Sequence, residues 1–169
     1  MAEKVILVDK NNKEIGFEEK MKAHIECKLH RAFSIFVFNS KKELLLQRRA
    51  KSKYHCGGLW TNTCCSHPRP NEPLHKAVYR RLKEEMGFNC SLKEVCSFMY
   101  KAVLGKKLYE YEYDHVFIGK YEGDPNLNPE EADEWKWVSI DELKRDIIKN
   151  AEKYTPWFKI ILEKYLDKI

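Results

Sequence analysis

The sequence predicts a mixed α/β domain, and three observations carry that expectation. The chain has 169 residues, close to the roughly 150 residues typical of one domain. Segments rich in aromatic and β-branched residues recur along it and read as strands. Between them lie stretches with helix start and stop signals, and no long Pro/Gly/Ser linker, repeat or low-complexity block divides the chain. Strands interleaved with three helices point to a sheet covered by helices. The expectation is one domain spanning residues 1–169.

The elements follow in order. Val5–Val8 is a short apolar strand. His30–Phe38 (HRAFSIFVF) is a longer one. Asn39–Lys42 makes a turn, and Glu43–Arg48 returns as its hairpin partner. Leu59–Cys65 reads as one strand, followed by a loop with Pro68, Pro70 and Asn71. Glu72–Met86 reads as a helix with Pro73 in its first turn and Gly87 past its end. Strands are expected near Leu92–Val103, Leu108–Tyr121 and Glu134–Val138. A helix starts near Ser139, where Glu142 three residues on makes a capping-box pattern. A last helix starts at Thr155-Pro156 and runs to the end.

Composition narrows the classes. Hydrophobic residues are 43% and charged residues 34%, which fits neither a disordered nor a membrane chain. No run approaches the ~18 apolar residues of a spanning helix. The first apolar stretch stops after four residues at Asp9, too short for a signal peptide. The six Cys are therefore expected as reduced thiols in a cytoplasmic protein. The 31 basic residues exceed the 26 acidic ones by five. That suits an anionic partner, but the charge is spread along the chain and forms no nucleic-acid stripe.

The helix over Glu72–Met86 departs from amphipathic pattern. Leu74, Ala77, Val78 and Leu82 define its apolar face, and Arg81 and Glu85 fall near the centre of that face. Buried charges are costly unless paired or liganded. Either Arg81 and Glu85 form a buried i,i+4 ion pair, or this face borders a polar site, with Glu85 on a metal and Arg81 on a phosphate. Arg80 and Lys83 point away and are expected to be solvated.

Four short segments hold candidate ligands. His24 and His30 precede and open the first long strand. Cys65 and His67 share one side of an extended chain, with Cys64 on the other. Glu110 and Glu112 alternate onto one face of YEYEYDHVF. Three imidazoles and two carboxylates suit Mn²⁺, Zn²⁺ or Mg²⁺. A Cys/His zinc knot lacks the CxxC spacing such sites use. A solvated carboxylate edge is the plainer alternative for Glu110 and Glu112. Arg49 and Lys53, four apart in RRAKSK, are either a solvated basic loop or an anion grip.

Taken together, AHIECKLHRAFSIFVFN, LLLQRRAKSKYHCGGLWTNTCCSHP, RRLKEEMG and YEYE resemble the type 1 isopentenyl-diphosphate isomerases, from about Val5 to the C-terminal helix. RRLKEEMGF is similar to the back half of a Nudix box. Glu72, Arg80, Leu82, Glu84, Glu85, Gly87 and Phe88 match the Nudix pattern, while Ser66 replaces its first Gly and Arg81 a Glu. The resemblance implies a Nudix-like α/β/α sandwich with a mixed central sheet. It implies a metal (Mn²⁺ or Zn²⁺) on His24, His30, His67, Glu110 and Glu112, and a Mg²⁺ bridging the substrate diphosphate and Glu85 with help from the Cys65 carbonyl. No flavin is implied. It assigns Lys20, Arg49, Lys53 and Arg81 to the diphosphate. Cys65, Glu112 and Tyr100 become the catalytic groups, and Trp157 the aromatic facing a carbocation, unless Trp157 is simply a core anchor.

The implied reaction moves a double bond from isopentenyl to dimethylallyl diphosphate. Protonation of an unactivated alkene gives a tertiary cation, so an acid and a base must flank the substrate. Cys65 and Glu112 fit those places, with the donor and the acceptor left open. The stretch Lys20–His30 is expected to form part of a lid. An Arg at position 81 removes a carboxylate that a Nudix hydrolase uses for its metals. That hydrolase is the main rival, and a basic binding module is a more distant one. The partner is expected to be a small isoprenoid diphosphate, with no nucleic acid and no membrane, and the chain a monomer or weak dimer.

Overall fold

The computed structural model describes residues 2–105 and 107–169. Its organising strand is the apolar run His30–Phe38 (β3), preceded by Lys4–Val8 (β1), Glu14–Glu19 (β2) and the six-residue helix Lys20–Ile25 (α1). Glu43–Arg49 (β4), Trp60–Thr61 (β5) and Cys64–Ser66 (β6) follow, then the helix Leu74–Met86 (α2). The long hairpin Leu92–Gly105 (β7) and Leu108–Lys120 (β8) leads to Ala132–Ser139 (β9) and the helices Ile140–Lys149 (α3) and Pro156–Tyr165 (α4).

The sheet is mixed. β3 runs parallel to β8 along one whole edge, from His30 opposite Glu112 to Phe38 opposite Lys120. Its other edge is shared by β1 at His30, β6 at Phe33–Ile35 and β4 at Phe38. β9 covers the far side of β4. Because side chains alternate along a strand, β3 feeds two cores. Phe33, Ile35 and Val37 pack with Ala77, Val78 and Leu82 of α2. Phe36 packs on the opposite face with Leu143 of α3 and Trp157, Phe158 and Ile161 of α4. The result is the α/β/α sandwich with a mixed sheet that the resemblance implied.

Several boundaries differ from the sequence expectation. The strand expected over Leu59–Cys65 is two short ones, because side chains take over its ladder between them. The Asn62 amide donates to Ile35 O and Cys64 O, and the Thr63 hydroxyl accepts from Val37 N and donates to Leu45 O. Pro73 is the N-cap of α2 and not a residue of its first turn. Gly87 closes α2 in the left-handed conformation (φ 78°), where a Cβ would collide with the backbone of Asn126. Arg80 is not merely solvated: it holds Glu72 at 2.6 Å and Glu84 at 3.0 Å. Lys83 is exposed, and Ser139 and Glu142 form the expected capping box at α3. α4 ends at Tyr165 and tightens into a 3-10 turn, Leu166–Lys168, so it stops short of the C-terminus. β2 and α1 were not expected. β2 is a half-exposed edge strand with Gly16 and three Glu, and α1 has neither the length nor a capping side chain to announce it. Among the described residues no helix is long and apolar enough to cross a membrane, and all six Cys are free.

Candidate active site

The site forms where β6 and β8 flank β3 on opposite edges, about 9–10 Å apart at two strand spacings. The β4–β5 loop, α1 and the start of α4 close over it. One cavity is lined by Lys20, Arg49, Lys53, Cys65, His67, Arg81, Glu85, Tyr100, Glu110, Glu112 and Trp157. His24 and His30, the remaining residues singled out from the sequence, lie fully buried against the same cluster.

The imidazoles converge because each comes from a different element aimed at one spot. His24 sits on α1, four residues after Lys20. His30 opens β3, His67 follows β6, and Glu110 and Glu112 share the inward face of β8. The His24 ring centroid is 4.9 Å from that of His30 and 5.8 Å from that of His67. His24 Nδ1 donates to Lys20 O at 2.7 Å, and His30 Nδ1 to Lys28 O at 2.8 Å. Carbonyls only accept, so in the neutral ring each Nε2 is a bare lone pair. Both Nε2 atoms are buried without a partner, and that of His30 faces Glu112 Oε1 at 3.5 Å. Lone pairs and a carboxylate pointed at one another in a dry interior are unfavourable unless a cation lies between them. Donor atoms of His24, His30, His67 and Glu112 lie within 4.8 Å of one another, so the residues fit a divalent ion.

Burial sets the protonation states. It drives His67 down to about 3 and His55 down to about 2, which keeps both rings neutral and able to ligate. Burial also raises Glu110 well above the carboxylate range, helped by the neighbouring Glu112 charge. The Tyr100 hydroxyl lies 3.0 Å from Glu110 Oε2 and 2.6 Å from Glu112 Oε2. It has one proton, shared between the two carboxyl groups as donor. Burial pushes the Cys65 thiol far up, which keeps it protonated. Cys64, one residue back, faces the α2 core.

The basic residues ring the mouth. Lys53 and Arg81 meet on Glu131 at 2.6 and 3.0 Å. Arg81 also pairs with Glu85 at 2.7 Å, and the Gln47 amide donates to the other Glu85 oxygen at 2.8 Å. Both readings of the α2 face therefore hold together: the i,i+4 pair exists, and it borders the cavity. Lys20 pairs with Glu3. Among the described residues Arg49 makes no ion pair. It donates to His55 O at 3.2 Å, and its guanidinium lies 5.2 Å from the Trp157 ring centroid. Trp157 is held by a hydrogen bond from its indole N–H to Thr61 Oγ1 at 3.0 Å, so it is both a core anchor and a cavity wall.

Sequence reasoning passed over four residues here. His55 and Tyr54 lie in the KSKYHCGG loop, Glu131 joins Lys53 to Arg81, and Asp114 is buried beside Glu112 and accepts from Ser34 at 2.8 Å. Asp114 continues the alternation of Glu110 and Glu112, a signal that was present. His55 was visible only as one more imidazole inside a motif stretch.

A mixed sheet between helices, with a His/Glu cluster able to hold a metal beside a basic mouth, is the arrangement of a NUDIX-domain enzyme. The family model of the NUDIX domain matches residues 28–158. The fold is shared with a crystal structure from Deinococcus radiodurans (TM-score 0.79, 18% identity, covering 96% of this chain and 99% of that one). It is also shared with the MutT protein of Methanosarcina mazei Go1 (TM-score 0.67, 22% identity, 82% and 94%). Isopentenyl-diphosphate Delta-isomerase 2 of Aromatoleum aromaticum is 54% identical, over 99% of this chain and 88% of that protein. The protein of the same name from Photorhabdus laumondii is also 54% identical, over 96% and 92%. The chain belongs to the isopentenyl-diphosphate Delta-isomerase family.

Proposed function

We propose that this chain converts isopentenyl diphosphate to dimethylallyl diphosphate by proton addition and removal through a tertiary carbocation. One observation carries the reading: the half-buried Cys65 thiol and a hydrogen-bonded Tyr100–Glu112 pair line the same cavity, whose mouth is basic. The identity with named isomerases supports it.

Arg49, Lys53, Lys20 and Arg81 hold the diphosphate at the mouth, which leaves the alkene to point inward between β6 and β8. There Cys65 and Glu112 provide the two proton-transfer groups, and Tyr100 fixes the Glu112 carboxyl and links it to Glu110. The Trp157 face stabilises positive charge on the tertiary carbon, worth roughly 2 kcal/mol in a desolvated site. The inner end of the cavity, away from the mouth, keeps water from the cation. His24, His30, His67, Glu110 and Glu112 would hold Mn²⁺ or Zn²⁺, which would supply fixed positive charge beside Glu112. Glu85 with the Cys65 carbonyl would hold Mg²⁺ against the diphosphate. Both Glu85 oxygens are engaged by Arg81 and Gln47, so that ion would displace one of these partners. The Arg81 guanidinium stands where the Nudix pattern has a Glu, which favours gripping the diphosphate over cleaving it.

We read the chain as one cytoplasmic domain over residues 1–169, a monomer or weak dimer acting on a small isoprenoid diphosphate without nucleic acid or membrane. The test is product identity. With isopentenyl diphosphate, Mg²⁺ and Mn²⁺, the wild type is expected to form acid-labile allylic diphosphate without phosphate release, and Cys65→Ala to abolish it. Phosphate release without isomerisation would install the hydrolase reading instead.

A further inference from the structure

We propose that Glu131 is a specificity-determining residue of the cavity mouth, where its fixed negative charge admits a diphosphate as its complex with a divalent cation and turns away the metal-free anion. The inference rests on reading the mouth as the diphosphate grip. It goes beyond that reading in giving a function to a carboxylate placed among the cations.

A carboxylate is out of place in an anion grip, and this one is held there. Glu131 lines the cavity. Its Oε2 accepts from Lys53 Nζ at 2.6 Å, and its Oε1 from Arg81 at 3.0 Å. The turn that carries it is pinned on two sides. Glu131 O accepts from Ala50 N at 2.9 Å, and Asn128 N donates to Glu85 O at 3.0 Å. Glu131 N and Ala132 N both donate to Asn128 O, at 2.9 and 3.0 Å. An arriving anion can break the two ion pairs and rotate the side chain, but the backbone keeps the charge at the mouth.

The other cations have carboxylates beside them as well. Arg81 also pairs with Glu84 and Glu85, and Lys20 with Glu3. Lys20, Arg49, Lys53 and Arg81 are thus matched in number by Glu3, Glu84, Glu85 and Glu131. Glu3 and Glu84 are 45% and 37% exposed, so water screens their charge. Glu85 is the residue read as the Mg²⁺ ligand. Glu131 is only 18% exposed and has no such task, so its charge acts on the ligand directly.

Coulomb repulsion grows in proportion to the charge of the ligand. An ionised diphosphate carries about three negative charges, and its Mg²⁺ complex about one. Glu131 therefore opposes the free anion about three times as strongly, in free energy, as it opposes the complex. A residue that merely shaped the mouth would affect both forms alike.

The test uses the full chain, loaded with Mn²⁺ at the His/Glu centre and freed of excess metal. The probe is inorganic pyrophosphate, titrated calorimetrically with Mg²⁺ present and with Mg²⁺ omitted. The wild type is expected to bind the Mg²⁺ complex about tenfold more tightly than the free anion. In Glu131→Gln the free anion should gain about tenfold in affinity over the wild type, and the complex only about twofold. Glu131→Ala should behave alike, and circular dichroism melts report whether each variant folds. Equal changes for the two forms, weaker binding of the free anion, or a wild type without preference for the complex would overturn the role of Glu131. A large loss of affinity for the complex in both variants would make Glu131 a ligand of the ion and overturn it too. Arg49→Ala separates the two ideas. If it leaves pyrophosphate binding unchanged, or the wild type binds none, the diphosphate reading of the mouth fails and the proposal with it.

Discussion

Arg49 and Tyr100 show how single residues differ although both face the cavity. Among the described residues Arg49 has no carboxylate partner and rests on Trp157, so little native structure depends on its charge. Arg49→Ala is expected to raise KM for the diphosphate at least tenfold and move the melting temperature by only a few degrees. Unchanged KM in steady-state assays would remove it from the diphosphate grip. Tyr100 links the two carboxylates through one hydroxyl. Tyr100→Phe keeps the packed ring and deletes that link, so kcat should fall by about 10²–10⁴, the usual range for a proton-transfer group, with KM nearly constant. These residues differ in how legible they were. Cys65 and His67 could be read from alternation alone. His55 could not, because nothing in a loop's local pattern says which way a side chain turns.

At the scale of elements, the short pieces position the site. β5 contributes only Trp60–Thr61, yet Thr61 Oγ1 receives hydrogen bonds from Trp157 Nε1 and from the Thr155 hydroxyl. It thereby joins the start of α4 to the sheet. Thr61→Val keeps the shape and orphans two buried donors, at about 1–3 kcal/mol each. The expected result is a clear drop in the urea midpoint together with reduced kcat, since Trp157 loses its anchor. An unshifted midpoint would show that α4 is held by its apolar face alone. The long strands and α2 were legible because their periodicity is strong over many residues. β2 and α1 were not, since a Gly- and Glu-rich edge strand and a six-residue helix owe their form to the neighbours they pack on.

Across the whole molecule, charge is arranged so that the basic mouth is balanced by Glu131. Burial would raise that carboxyl, but Arg81 and Lys53 together bring it from 4.5 down to about 2. A carboxylate depressed in the folded state stabilises the protein fully above its unfolded value, and this contribution is lost as pH falls from about 4.5 towards 2. Acid unfolding of the wild type should therefore be steep in that window. Glu131→Gln should start less stable at neutral pH and lose less on acidification, as measured by urea unfolding at a series of pH values. Equal slopes for the two proteins would contradict the pairing.

By itself the sequence determined the alternation that turns Cys65 and Cys64 to opposite faces and puts Glu110 and Glu112 on one face of β8, while the structure decided that this face is the buried one. It also determined the helix stop at Gly87 and the charged pair on the apolar face of α2. These follow from periods of two and 3.6 residues and from backbone sterics, which act locally. The tertiary structure alone decided that His24, His30, His55 and His67 share one cluster, that Glu131 bridges Lys53 to Arg81, and that Asn62 and Thr63 interrupt a strand. Each of these joins residues far apart in the chain, and no local pattern records which distant groups a fold brings within hydrogen-bond reach.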